Sequence, residues 1–228
     1  MQYSDAGMLE LWERGADRHV LDRGLLLLSC ARSGEPLQAL ADVSISARDQ
    51  ALIAWRSLHF GKTLPATIDC PECGTRLEFI LDSNTLCGDC KDTPIEIDGL
   101  RVRRPTSRDL AVALKISDPE QAAYLLAKNC CENLSGELNP TQLAQIESTL
   151  ALADAAADIE LDFSCEHCDH VWQNSFDIVS YLWKEIETYA SRLLAEIHTL
   201  ACAYGWSERE ILALSPVRRA AYLNRVYA

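Results

Sequence analysis

Four of the ten cysteines lie in two short motifs that resemble each other and could bind a metal. Cys70 and Cys73 belong to the stretch IDCPECG, and Cys165 and Cys168 belong to FSCEHCD. Each motif is a C-x-x-C knuckle between two strand-like runs, and two such knuckles supply the four thiolates of a tetrahedral zinc site. We therefore predict one structural Zn²⁺ bound by Cys70, Cys73, Cys165 and Cys168.

A third C-x-x-C pair, Cys87 and Cys90, offers a second ligand set. Only 13 residues separate Cys73 from Cys87, a spacing close to that of a compact zinc ribbon. However, Cys87 and Cys90 lie in a polar segment without the flanking strands of the other two knuckles. No strand precedes them, as it would in a thioredoxin-like redox motif. We favour the set that pairs the two similar knuckles, with the local pairing as its rival.

The other cysteines and histidines carry no recognisable motif. His167 and His170 could replace a cysteine ligand, but we interpret them as exposed loop residues. Four further cysteines fall in helical stretches and are interpreted as small core residues: Cys30, Cys130, Cys131 and Cys202. The chain contains no glycine-rich phosphate loop, H-E-x-x-H or G-x-S-x-G motif. Because four thiolates close the coordination shell of zinc, we expect a protein that is not an enzyme.

The composition indicates which kinds of molecule the protein could bind. The chain has 228 residues, 48% of them hydrophobic, and a formal net charge of −13. This length and hydrophobic content predict a sizeable core. The negative charge disfavours nucleic acid, which is bound through clustered Lys and Arg. The sequence begins without the features of a signal peptide and has no apolar run of about 20 residues, so we expect a cytoplasmic protein without a membrane partner. The cysteines are then expected to be reduced.

Hydrophobic periodicity divides the chain into three parts. Residues 1–62 show the spacing of three helices, the last of which ends near Phe60 and is capped by Ser46. Residues 63–176 contain the two knuckle hairpins, which we expect to share a zinc-ribbon-like sheet, with an insertion at about 83–157. Residues 177–228 contain a long helix and short helices, and all three parts are expected to form one integrated domain.

The insertion itself is predicted to contain a hairpin and three helices. The hairpin turns at Asp98-Gly99, a strong signal for a two-residue turn. The first helix follows a cap at Ser107 and extends to Ile116, the second opens at Asp118-Pro119, and the third extends from Asn139-Pro140 to about residue 157. The predicted fold is therefore α+β and mainly helical.

The longest predicted helix, at about 177–204, bears an apolar stripe. Its members follow each other at three- and four-residue steps: Val179, Trp183, Ile186, Ala190, Leu193, Ile197, Leu200 and Tyr204. A helix of this length spans roughly 42 Å, more than a small zinc ribbon can cover. We expect part of the stripe to pack on the N-terminal helices or on another protein.

Taken together and in order, several of these motifs resemble the small baseplate proteins of T4-like contractile phage tails and of related contractile injection systems. The stretches that carry the resemblance are LWERG at 11–15, LDR at 21–23, CPECG at 70–74, LEF at 77–79, PTSRDL at 105–110, 165–172, FDI at 176–178, WKEI at 183–186, YGWSE at 204–208 and ILALSP at 211–216. The resemblance extends over nearly the whole chain, apart from Cys87 and Cys90. It implies a baseplate component or assembly factor without enzymatic activity.

Two functional classes follow from these observations. In the first, the protein is a structural or chaperone-like subunit that binds baseplate hub, wedge or spike proteins, either in the cytoplasm or incorporated in a tail-like particle. In the second, it is a zinc-ribbon adaptor of the transcription or translation machinery, unrelated to tails. The acidic charge favours the first class weakly. No oligomeric state is predicted.

Overall fold

The structure, a computed structural model, describes residues 3–86, 93–153 and 159–227. The helices are α1 (Asp5–Gly15), α2 (Val20–Ala31), α3 (Leu37–Ala41), α4 (Ile45–Phe60), α5 (Ser83–Leu86), α6 (Ser107–Ala113), α7 (Pro119–Cys130), α8 (Pro140–Ala153), α9 (Ile178–Tyr204), α10 (Glu208–Leu212) and α11 (Pro216–Val226). The strands are β1 (Thr63–Asp69), β2 (Arg76–Asp82), β3 (Ile95–Ile97), β4 (Leu100–Val102), β5 (Ile159–Ser164) and β6 (Val171–Phe176). The prediction of a mainly helical chain with small hairpins is confirmed. Cys87, Cys90 and the predicted end of the helix near 157 lie outside the described residues.

Backbone contacts divide the chain into two compact units. One unit comprises Met1–His19 and Ser180–Ala228, and the other comprises Val20–Val179. The first unit therefore combines the N-terminal and C-terminal segments of the chain. It contains α1, most of α9, α10 and α11. The second unit contains the three hairpins and the remaining helices.

Each hairpin of the second unit is an antiparallel pair. The β1–β2 register extends from Thr63 opposite Asp82 to Asp69 opposite Arg76, and the β5–β6 register from Ile159 opposite Phe176 to Ser164 opposite Val171. Along β1, β2 and β5 buried or partly buried residues alternate with exposed ones, as expected of strands covered on one face, whereas β6 does not alternate strictly. Across the described ranges the strands form three separate two-stranded sheets. The knuckle hairpins thus do not share the single sheet that we expected, because no backbone ladder joins them.

Two helix starts differ from the sequence prediction for the same reason. Helix α4 is capped by Ser44, whose Oγ accepts a hydrogen bond from the Ala47 N–H, and not by Ser46. Helix α6 is capped by Thr106, not Ser107, and ends at Ala113 instead of Ile116. Ser44 and Thr106 form an antiparallel β-bridge with each other. This long-range pairing holds both caps in extended conformation, so each helix starts directly after the bridge. A short α3 also makes the N-terminal helices four instead of three.

The segment between the knuckle hairpins has a hydrophobic core of its own. The buried members come from β3, β4, α7, α8 and the loop before α8: Ile97, Leu100, Val102, Ala127, Cys130, Leu138 and Ile146. The expected hairpin turn is present, with Asp98 and Gly99 both at positive φ (48° and 78°). Asp118 caps α7 as predicted. This segment is therefore a folded part of the second unit and not an extended linker.

The first unit packs around the C-terminal half of α9. Its buried core comprises Leu9 of α1, Ile211 of α10 and four residues of α9: Ala190, Leu193, Ile197 and Leu200. The predicted C-terminal signals are confirmed: Gly205 ends α9 at φ 69°, Ser207 and Glu210 form a capping box, and Ser215 caps α11. Every member of the apolar stripe is buried except Tyr204, which is 38% exposed. Part of the stripe packs on α1, which is the first of the two expected alternatives, the N-terminal helices or another protein.

Candidate metal centre

The two knuckles have the same backbone hydrogen bonds. In the first, Cys70 N–H donates to the Thr75 carbonyl and Gly74 N–H donates to the Cys70 carbonyl, each at 2.9 Å. In the second, Cys165 N–H donates to His170 O and Asp169 N–H to Cys165 O, again at 2.9 Å. The two turns are therefore copies of one local structure, as their sequences predicted.

The residue after the second cysteine of each knuckle has a left-handed conformation. Gly74 has φ 71° and Asp169 has φ 56°. Glycine adopts this region without cost, and aspartate is among the few other residues that adopt it readily. This conformation turns the chain back so that the following strand pairs with the one before, and it places both cysteines of a knuckle on the same side of the turn.

The structure brings the four predicted cysteines together. Cys70 Sγ lies 3.7 Å from Cys168 Sγ, and Cys73 Sγ lies 3.6 Å from Cys165 Sγ. All four sulfur atoms lie within 4.8 Å of one another. Since Cys73 and Cys165 are 92 positions apart in the sequence, the cluster depends on how the two hairpins pack and not on local sequence.

These distances fit a tetrahedral metal. Zn–S bonds of about 2.3 Å in a tetrahedron place neighbouring sulfur atoms about 3.8 Å apart. The two short sulfur contacts of the cluster match this value closely. Cys70 and Cys165, the first cysteine of each knuckle, are buried at 2% and 1% exposure, whereas Cys73 is exposed. A metal held here would lie close to the surface, with two of its ligands anchored in the interior.

Thr75 was missed by the sequence analysis. Its Oγ1 lies 3.2 Å from Cys73 Sγ, and hydrogen bonds from its side chain and backbone lower the pKa of Cys73 to about 6. A backbone hydrogen bond at His170 lowers the pKa of Cys168, but burial and the neighbouring thiols raise it more, to about 12. A dication that binds the four cysteines as thiolates must displace the protons that these thiols carry. A Thr two residues after a C-x-x-C motif is the only sequence signal that could have indicated this role.

An aromatic contact also joins the two knuckle hairpins. Phe79 of β2 meets Phe163 of β5 edge-on, with ring centroids 5.0 Å apart, and Phe163 stacks on Trp172 of β6 at 5.4 Å. Edge-to-face and offset-stacked pairs of this kind stabilise by about 0.5–1.5 kcal/mol beyond the area they bury. The Phe79–Phe163 pair links one knuckle hairpin to the other, whereas Phe163 and Trp172 pack within the β5–β6 hairpin.

The other candidate residues include two histidines of the second knuckle. His167 is exposed, as expected for a loop residue, whereas His170 is partly buried and stacks on Trp172 with centroids 5.7 Å apart. Cys130 is a buried core residue, whereas Cys30 and Cys131 are only partly buried. Cys202 was wrongly interpreted as core: it is exposed on α9, with its Sγ 3.8 Å from His198 Nε2.

Comparison of the chain with models of protein families, with curated proteins and with solved structures gives no match. In the part of the chain that the structure describes, no helix combines the length and apolar character needed to cross a bilayer.

Proposed function

We propose that Cys70, Cys73, Cys165 and Cys168 bind one structural Zn²⁺, which joins the two knuckle hairpins into a zinc-ribbon-like unit. The observation that carries this proposal is the pair of sulfur contacts between the knuckles, at 3.6 and 3.7 Å. An all-thiolate tetrahedron is typical of structural zinc and leaves no open position for a substrate. The centre therefore stabilises the fold instead of performing chemistry.

Metal analysis of purified protein tests this proposal. We expect about one zinc per chain, lost when Cys165→Ser and Cys168→Ser are combined. A Cys202→Ser variant is the matched control, because Cys202 is an exposed cysteine on a different element. Retention of zinc in the double variant, with loss on replacing Cys87 and Cys90, would establish the local ligand set instead. Iron as the bound metal would change the identity of the ion but not the ligand set.

We further propose that the protein is a non-enzymatic baseplate component or assembly chaperone of a contractile, phage-tail-like particle. The order of motifs that resembles small baseplate proteins supports this assignment, as does a closed centre without a substrate position. The partners are then hub, wedge or spike proteins. The net charge of −13 repels the phosphates of nucleic acid, so the free protein is expected to bind protein surfaces.

The docking surface has to differ from the one that the sequence suggested. The apolar stripe of α9 is buried within the chain from Val179 to Leu200, so it is not available to a partner. Exposed apolar and aromatic side chains lie elsewhere, including Tyr204, Val217 and Tyr227 in the C-terminal part of the chain. A partner is therefore expected to bind folded surface and not an unpaired helix.

Deletion of the gene in the source strain tests the assignment to a particle. Incomplete tails that lack sheath contraction are expected, and the chain or its complex with a hub or wedge protein should be recovered from assembling particles. Complete particles that contract normally in the deletion strain would exclude the baseplate role. The adaptor hypothesis would then come first, with co-purification of transcription or translation proteins as its test.

A further inference from the structure

The last helix has a charge opposite to that of the protein as a whole. Helix α11 contains three arginines and no acidic residue, in a chain with a formal net charge of −13. The basic residues are Arg218, Arg219 and Arg225. Such a local concentration of positive charge on an acidic protein can serve internal ion pairs or attract an external partner.

Among the described residues, Arg219 is the one of these arginines that forms ion pairs. Arg219 is buried, and its guanidinium contacts Asp5 and Glu196 at 2.7 Å each. Arg218 and Arg225 are exposed, and across the described ranges neither forms an ion pair with a carboxylate. The Arg219 contacts fix the orientation of α11 within its unit, so the other two guanidinium groups are presented outward from an anchored helix.

Arg218 and Arg225 flank an aromatic cluster. Tyr204 and Trp206 stack with centroids 4.7 Å apart, and Trp206 meets Tyr222 edge-on at 4.9 Å. The Arg225 guanidinium lies over the Tyr222 ring, 5.9 Å from its centroid. Arg218, Tyr222 and Arg225 follow each other at steps of four and three residues, which places them on one face of the helix. We call Tyr204, Trp206, Arg218, Tyr222 and Arg225 the Arg–aromatic face.

This combination of residues is typical of binding surfaces. Trp, Tyr and Arg dominate the energetically important positions of protein interfaces, because rigid rings and a planar cation bind at a low cost in conformational entropy. Ring-to-ring contacts hold Tyr204, Trp206 and Tyr222 in place before a partner arrives. The guanidinium groups add paired donors that match a carboxylate.

We propose that the Arg–aromatic face binds a short acidic segment of a partner protein. Carboxylates of that segment accept hydrogen bonds from Arg218 and Arg225, and an apolar side chain between them packs on the Tyr204–Trp206–Tyr222 cluster. The inference rests on the proposed function only in that the partner is a protein. The complementarity is local, because the exposed guanidinium groups of Arg218 and Arg225 match carboxylates, and two arginines on a strongly acidic chain are too few to hold a phosphate backbone.

Selection from a random peptide phage library on the purified full-length protein tests the inference. Peptides enriched on the wild-type protein should combine Asp or Glu with aromatic or aliphatic residues. The variant Arg218→Glu/Arg225→Glu should not enrich them. Arg14→Glu/Arg18→Glu is the matched control, because it makes the same change of charge at two exposed positions outside the face, and it should select the same peptides as the wild type.

The strongest selected peptide then serves as a probe in titration calorimetry. Arg218→Gln/Arg225→Gln should weaken its binding at least tenfold, a loss of about 1.4 kcal/mol or more. An unchanged melting temperature of each variant establishes that the fold is retained. Any of four results would overturn the proposal. The selected peptides could lack acidic enrichment, or the charge-reversed variant could bind them equally well. The face could instead prefer a single-stranded oligonucleotide, or hold together a dimer of this chain that the same substitutions dissociate. None of these results depends on the particle phenotype, which tests the proposed function separately.

Discussion

Asp109 shows how one buried carboxylate connects several parts of the second unit. Its side chain is 8% exposed and accepts bidentate hydrogen bonds from Arg103 at 2.7 and 2.9 Å. It also accepts from the Thr106 backbone N–H at 2.8 Å and from the Thr106 hydroxyl at 2.7 Å. Burial raises the pKa of Asp109, but the hydrogen bonds from Arg103 and Thr106 outweigh it and hold the pKa below its ordinary value.

The replacement Asp109→Asn is expected to lower the free energy of unfolding at pH 7 by about 2 kcal/mol, since it removes charge-assisted hydrogen bonds. A carboxylate whose pKa is lower in the folded state stabilises fully above its unfolded pKa of about 4, and this stabilisation is lost as the pH falls through the folded pKa. The difference in the free energy of unfolding between wild type and variant should therefore shrink as the pH falls below about 5. Denaturant titrations of both proteins across this pH range measure the difference in their free energies of unfolding.

The exposed ion pair of Asp42 and Arg108 provides the control for Asp109. Their side chains are 60% and 52% exposed, and pairs in water contribute little to stability. Asp42→Asn should change the free energy of unfolding by less than about 1 kcal/mol. Equal effects of the two substitutions would contradict the role assigned to burial at Asp109.

At the scale of elements, the two-residue turn between β3 and β4 determines the register of that hairpin. Both Asp98 and Gly99 have positive φ, as a type I′ turn requires. A Cβ at Gly99 would meet no atom within 4 Å. Any loss of stability on substitution at this position therefore reflects backbone conformation alone.

Gly99→Ala should destabilise the protein by about 1–2 kcal/mol, the cost of a left-handed conformation for a residue with a Cβ. Asp98→Asn is the matched control and should have little effect, because asparagine adopts this conformation at least as readily. Thermal unfolding of the two variants measures the difference. A Gly99→Ala variant as stable as the wild type would show that the turn relaxes to another type.

At the scale of the whole molecule, the cysteine cluster closes a loop of more than ninety residues that contains a core of its own. Neither C-x-x-C knuckle alone can fill a tetrahedral shell, so a metal at this site binds only when the two hairpins are folded and packed. Its binding free energy then adds to the free energy of folding.

Removal of the metal with a strong chelator is therefore expected to lower the melting temperature by at least about 10 °C. Structural zinc binds small peptides with roughly 10 kcal/mol or more, and each kcal/mol corresponds to about 2–4 °C in a chain of this size. Calorimetry with and without chelator measures the shift. The Cys165→Ser/Cys168→Ser variant should melt at the temperature of the chelated wild type, with or without chelator. A wild-type protein whose melting temperature does not change on chelation would exclude a stabilising metal.

The sequence by itself determined the local structures of this protein. Each knuckle turn, the Asp98-Gly99 turn, the capping box at Ser207 and the long helix are fixed by residues within a few positions of one another, so their signals are complete within a short stretch of chain. The four cysteines could be identified as a candidate ligand set because their two motifs match.

The tertiary structure decided what depends on distant partners. It pairs Cys70 with Cys168 and Cys73 with Cys165, and it shifts two helix caps through the bridge between Ser44 and Thr106. It also buries the apolar stripe of α9 within the chain and exposes Cys202. Helical periodicity indicates which residues share a face, but which neighbour covers that face is set by packing between segments far apart in sequence.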